Sequence, residues 1–182
     1  ESDLYGNPVF RVQSDQSEQS LFKASDLMIG STTATNARIE FHHVLAKVAI
    51  HVIDDTGRFD LQQVSAGLLS INDAVYVNLQ QAVVSTIAEE RTDIKMLTEA
   101  TTDWRMSAYA IVAPQTVASG SLLFAVTVNG NSLAYAVPEN VVMESGKTYT
   151  INMRLTTDGL ISESSYVTDW DYQNEESIDV RQ

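Results

Sequence analysis

Cysteine is absent from all 182 residues. No disulfide can staple this chain, and no thiolate can hold a metal. Basic residues are scarce: 11 Lys and Arg stand against 24 Asp and Glu, for a net charge of −13. A surface of that sign repels nucleic acid and anionic lipid at long range, so neither is expected as a partner. It also serves plain solubility. No apolar run approaches the roughly 20 residues that span a bilayer, so no membrane span is expected in this chain. No signal peptide is visible. The chain opens at Glu1-Ser2-Asp3-Leu4 without methionine, as expected of a processed or trimmed product. What is present suits a globular domain. Hydrophobic residues make up 44% and charged residues 19%, enough for a core and too few charges for a disordered chain. The length suits one domain, or one domain with part of a neighbour.

Catalytic patterns are missing too. Asp55-Thr56-Gly57 matches the triplet of aspartic proteases, but that chemistry needs two such carboxylates sharing a proton. Only one triplet exists, and charged Arg58-Phe59-Asp60 follows it. Asp and Gly suit a turn for their own reasons. Gly146-Lys147-Thr148 resembles the end of a phosphate-binding loop. That loop needs glycine where Val141 stands and a helix afterwards, whereas a strand pattern follows. The three histidines are His42, His43 and His51. On one continuous strand His42 and His43 point to opposite faces, and His43 and His51 lie about 26 Å apart. They read as surface or edge histidines. Asp169, Asp171, Glu175 and Glu176 lack the spacing of a calcium loop and read as a solvated acidic tail. No catalytic residue, metal site or cofactor is therefore expected, and the chain reads as a non-enzyme.

The dominant positive signal is period-two alternation. From Thr148 to Leu155, apolar Tyr149, Ile151, Met153 and Leu155 alternate with Thr148, Thr150, Asn152 and Arg154, the pattern of a half-buried strand. His42 to Val52 behaves alike: Val44, Ala46, Val48, Ile50 and Val52 form one face. Val44, Val48, Ile50 and Val52, with Phe41 just upstream, are predicted to lie in the main core. Phe124 to Val128 and Ser132 to Val137 flank Asn129-Gly130-Asn131, a hairpin signal. Val75 to Leu79 and Met106 to Val112 add strands, with Pro114 ending the second. Ser145-Gly146 reads as a turn. Helix signals are poor; only Val83 to Arg91 has a helical tint, weakened by its Val-Val-Ser-Thr-Ile content. The expectation is an all-β sandwich of about seven strands, Greek-key-like, with little helix.

The first 36 residues differ from the rest. Asp15 to Ser20 is polar without periodicity, and Ser31 to Asn36 has linker composition. A boundary is expected there, with the main domain over 37–182.

Several segments together resemble a known family. Asp15-Gln16-Ser17, followed by Ala24-Ser25-Asp26-Leu27-Met28, resembles the inter-domain stretch of fimbrillin-like proteins. Ile39-Glu40-Phe41-His42-His43-Val44-Leu45-Ala46-Lys47-Val48 resembles a strand of that family, and Tyr109-Ala110-Ile111-Val112-Ala113-Pro114-Gln115-Thr116 another strand's end. Gly146-Lys147-Thr148-Tyr149 and Val167-Thr168-Asp169-Trp170 resemble two closing segments. Order and spacing agree over roughly residues 12–182. The resemblance to type V pilus fimbrillins of the Mfa-like family implies a transthyretin-like β-sandwich. It implies export as an outer membrane lipoprotein, the lipid anchor belonging to the precursor. It also implies polymerisation at the cell surface, in a fimbrium, with itself or other pilus subunits as partners. Residues 1–36 would then be the remnant of an N-terminal domain and its linker, and 37–182 the C-terminal domain.

Two functions compete. One is a structural or adhesive pilus subunit assembling by strand exchange. The other is a surface module that binds a glycan or host protein and never polymerises. Trp104 and Trp170, the only tryptophans, are expected in the core and not in an exposed binding platform. Asp169-Trp170 is expected to close the sandwich. Beyond it Ser177-Ile178-Asp179-Val180-Arg181 alternates again, and Ile178 and Val180 are the candidate donor-strand residues. Two apolar residues are too few to hold a free strand, so this tail is expected to be loose in a monomer.

Overall fold

The computed structural model describes residues 2–30, 39–54, 64–99 and 106–170. These residues form strands β1 (Val9–Arg11), helix α1 (Gln19–Ala24), β2 (Met28–Gly30), β3 (Phe41–His43), β4 (Ala46–Asp54) and β5 (Val64–Asn72). Then follow β6 (Ala74–Asn78), β7 (Val83–Thr86), β8 (Arg91–Lys95), β9 (Leu97–Glu99) and β10 (Met106–Val112). The chain continues through β11 (Gln115–Val117), β12 (Leu122–Val128), β13 (Asn131–Ala136), β14 (Val141–Met143), β15 (Lys147–Thr156) and β16 (Gly159–Asp169). This is an all-β sandwich with one short helix. It holds more strands than the seven anticipated, because bulges and short breaks divide the chain into small pieces.

Two sheets carry the core. One has the order β16-β15-β4-β10-β9, the other β13-β12-β5-β8. Smaller sheets, β1-β6-β7, β11-β14 and β2-β3, complete the body. Strand β4 sits in the middle of its sheet, antiparallel to β10 and parallel to β15. A central strand has no wet edge, and β4 reads accordingly. Val48, Ile50 and Val52 are fully buried and Val44 nearly so, as the alternation predicts. Across the interface, Leu68 of β5 and Phe124 and Val126 of β12 belong to the same apolar cluster. On β15, Tyr149, Ile151, Met153 and Leu155 are all buried.

Phe41 corrects the sequence expectation. It is 51% exposed. The apolar alternation runs on in sequence, but the strand does not. It breaks at Val44-Leu45, where the Val44 N–H donates to the Leu27 carbonyl and Leu45 accepts from the Gly146 N–H. Phe41 therefore lies in β3, which among the described residues pairs with β2, in a small sheet apart from the two that carry the core. The same break separates His43 from the strand of His51, so the 26 Å spacing along a single strand does not apply. The helical tint at Val83–Arg91 is also overturned. Val83–Thr86 pairs with β6, as its β-branched residues favour, and Arg91 opens β8. The hairpin at Asn129-Gly130 forms as predicted. Both residues have positive φ, 50° and 77°, and Val128 opposes Asn131, the geometry of the tight turn that Asn-Gly favours.

The amino-terminal segment is fastened to this body through its backbone. Strand β1 pairs with β6, and Ser14 and Gln16 bond to the main chain of Lys95. Gln16 is fully buried. Its Oε1 accepts from the Ile111 N–H and its Nε2 donates to the Ile111 carbonyl, each at 2.8 Å. The amide thus stands in for one residue of a strand beside β10, beyond the end of β9. Gln115 does the same for Asn72, accepting from its N–H at 3.0 Å and donating to its carbonyl at 3.3 Å. Asp55-Thr56-Gly57 and Trp104 lie outside the described residues.

Two stability outcomes follow from this packing. Ile50→Ala removes a fully enclosed side chain and is expected to cost about 2–5 kcal/mol in denaturant melts; a loss below about 0.5 kcal/mol would contradict the core assignment. Gln16→Leu strands a buried N–H and a buried carbonyl of β10. It is expected to cost about 1–3 kcal/mol, against near-neutral behaviour for an exposed glutamine such as Gln80.

Candidate functional site

The exposed strand at the end of the larger sheet is the most unusual surface of the molecule. Strand β16 returns from β15 through Thr157-Asp158 and pairs with it over its whole length. Its other edge has no partner among the described residues. From Ile161 to Asp169 every residue is exposed. Opposite the buried Tyr149, Ile151 and Met153 stand Val167, Ser165 and Ser162. Two of three core-side positions are therefore serine, and the layer is thin there. A register shift between Asn152 and Met153 leaves Glu163 as an extra residue, which bends and twists the strand.

Beside this edge runs a groove of about 510 Å³. Its lining combines Tyr135, Val142, Tyr149, Ile151 and Val167 with polar Glu139, Asn140, Glu163 and Ser165. Val142, Tyr166 and Val167 are each more than half exposed. Glu163 is paired with Arg154 and Asp169 with Lys147. Hydrogen bonding to Asp169, then its charge, raises the Lys147 ammonium above its usual value. A strand edge with free backbone groups beside a partly apolar groove can add an extended segment. The ladder supplies attraction and the groove receives alternate side chains.

A second cluster marks where the last segment of the chain begins. Trp170 donates its N–H to the Gly146 carbonyl at 2.8 Å. Its ring stacks on His43, centroids 4.0 Å apart and planes within 1°. The Nδ1 of His43 lies 2.7 Å from Asp26 Oδ1. Lys47 Nζ lies 6.0, 5.7 and 5.8 Å from the ring centres of Phe22, Tyr109 and Trp170, within range of cation–π attraction. Burial lowers its ammonium below the usual value, with Asp26 and Glu99 opposing. Trp170 is half-buried, packed against the margin of the core and not within it. Ile178 and Val180, with Asp171, Glu175 and Glu176, lie outside the described residues.

The histidines do not converge. His42 is exposed, His43 is held by Asp26 and Trp170, and His51 Nδ1 lies 2.7 Å from Ser107 Oγ. Among the described residues, no three His, Asp or Glu side chains are placed to share a metal. No helix among them is long and apolar enough to cross a membrane. Reading the sequence missed β16. Alternation needs one wet face and one dry, and β16 is wet on both. The signal available was the β-prone run Tyr166-Val167-Thr168.

The chain matches the family described as fimbrillin-like over residues 2–170. It belongs to the fimbrillin-like family. Membership assigns a structural role and not an enzymatic one. No curated protein sequence matches significantly. Among solved structures, a candidate cell adhesion protein from Bacteroides uniformis superposes with a TM-score of 0.69 at 21% identity, covering 94% of this chain and 70% of that one. Another from Bacteroides ovatus gives 0.58 at 16% identity, covering 74% of this chain and 48% of that one. The tip fimbrial protein Mfa3 from Porphyromonas gingivalis gives 0.47 at 11% identity, with coverages of 73% and 54%. Identities this low speak to fold alone. This fimbrillin-like chain spans 70% of the first structure's length and about half of the other two.

His51 supplies a pH test of this fimbrillin-like sandwich. Burial lowers its imidazole below the usual 6.5. Between that depressed value and 6.5 the unfolded chain binds the proton and the folded one does not. Stability should therefore rise with pH across that window and level off above it. Urea melts from about pH 5 to 8 should show this rise, and His51→Gln should flatten it. An identical slope in the variant would remove His51 as the cause.

Proposed function

We propose that this chain is a subunit of a cell-surface fimbria and that it joins its neighbours by strand exchange. The groove beside β16 accepts an extended segment from the next subunit. The observation that carries this reading is the coincidence of a strand edge unpaired among the described residues with a groove of mixed polar and apolar lining. Edges of that kind are ordinarily blunted or covered in monomeric proteins. The donor is the end of a second copy's chain, where Ile178 and Val180 alternate with Asp179 and Arg181. Two apolar side chains on one face would enter the groove, and the charged pair would remain in water. The precursor would carry the lipid anchor at the outer membrane, and residues 1–36 would be the remnant of a preceding domain and its linker, packed here against the sandwich through β1 and Gln16.

Removing residues 172–182 from the processed full-length protein tests this. The shortened protein is expected to melt like the parent and to form no polymer. Polymers of normal length would eliminate the tail as donor. Binding of a glycan or host protein by a preparation that never polymerises would favour the alternative, a surface binding module.

A further inference from the structure

Strand β16 carries a property that strand exchange does not use. With a net charge of −13, two copies of this chain repel over most of their surfaces. The stretch Ser164-Ser165-Tyr166-Val167-Thr168 holds no charge, proline or glycine. The carboxylates that flank it, Glu163 and Asp169, are each matched by a cation of β15, Arg154 and Lys147. It is thus a locally neutral strip on an acidic molecule. It is exposed, and its outer backbone edge is unpaired among the described residues. An inward lysine, a proline or a bulge would keep such edges apart; among the described residues the bulge lies at Glu163, outside the stretch 164–168.

We propose that the free edge of β16 pairs with β16 of a second copy, antiparallel, about a two-fold axis through Tyr166. The register follows from the extra residue at Glu163. Faces alternate regularly only after it, so an in-phase ladder runs over 164–168. Centred on Tyr166, that ladder sets the two Tyr166 side chains opposite each other, an aromatic cross-strand pair. Ser164 meets Thr168 of the second copy. Val167 meets the second copy's Ser165, and the smaller serine leaves it room at the groove. Glu163 meets Asp169 of the second copy, but each arrives with its own cation. Centring on Ser165 would instead set Val167 against Glu163. A two-fold arrangement is self-limiting, so it yields pairs and not fibres. The inference rests on the reading of β16 as a usable edge and adds its regulation. The second copy shields the groove until a donor strand displaces it.

The absence of cysteine makes the test clean, because one substitution in the full chain introduces the only thiol. Directly opposed residues of an antiparallel pair lie about 4.5–5.5 Å apart at Cα, within disulfide reach. Tyr166→Cys is expected to form a covalent dimer under mild oxidation. Thr168→Cys, on the same face of the same strand, is expected to remain monomeric, since its two copies would sit about 14 Å apart. In sedimentation the unmodified chain should shift toward the mass of two chains as concentration rises, and Val167→Lys should abolish the shift. Equal cross-linking at both positions, or a monomer at every concentration, would overturn the proposal. A synthetic peptide of residues 177–182 separates the two readings. If it binds a chain that neither sediments as a dimer nor cross-links through Tyr166→Cys, strand exchange stands and the pairing falls. If dimers form and the peptide neither binds nor dissolves them, the pairing stands and the tail is not the donor.

Discussion

Backbone hydrogen bonding at strand ends governs this molecule more than any single apolar contact. A sandwich assembled from short strands has many places where a ladder stops and an N–H and a carbonyl lose their partner. Each such pair, if buried, costs about as much as a lost core contact. The chain answers with side-chain amides. Gln16 completes β10 at Ile111, Gln115 completes β5 at Asn72, and the Asn72 amide reaches the carbonyls of Ile87, Ala88 and Glu90. These residues fasten the small sheets to the large ones. The longest edge left without such an answer, among the described residues, is β16.

That contrast explains which parts of the structure were legible in the sequence. Strands with one wet and one dry face announced themselves: β15 by Tyr149, Ile151, Met153 and Leu155, and the hairpin by Asn129-Gly130. Strand β4 was legible for the same reason on its core face. The break at Val44-Leu45 was not legible, because apolar residues occupy both sides of it and alternation continues through it unchanged. Phe41 was misplaced for that reason. Gln16 was invisible because a buried amide satisfied by backbone looks, in sequence, like any polar loop residue.

The candidate site was less legible than the fold. A strand exposed on both faces lacks the period-two signal, so Ile161 to Asp169 was not read as a strand although it is part of the longest one. What the sequence did carry was the set of short segments resembling fimbrillins. Each of them now has a physical place. Pro114-Gln115-Thr116 holds the amide that completes β5. Gly146 takes a φ of 69° in the turn that both Leu45 and Trp170 contact. Phe41 to Val48 contains the break that lets His43 lie under Trp170.

The pairing of Glu163 with Arg154 and of Asp169 with Lys147 has a consequence for rates. Neutralising the strip around β16 removes local repulsion but creates no attraction, so nothing steers one subunit toward another from a distance. The remaining field of an acidic body is repulsive, and it fades beyond about 8 Å only at physiological salt. Encounters between copies are therefore slow in dilute buffer and quicken as ionic strength rises, the reverse of association driven by opposite charges.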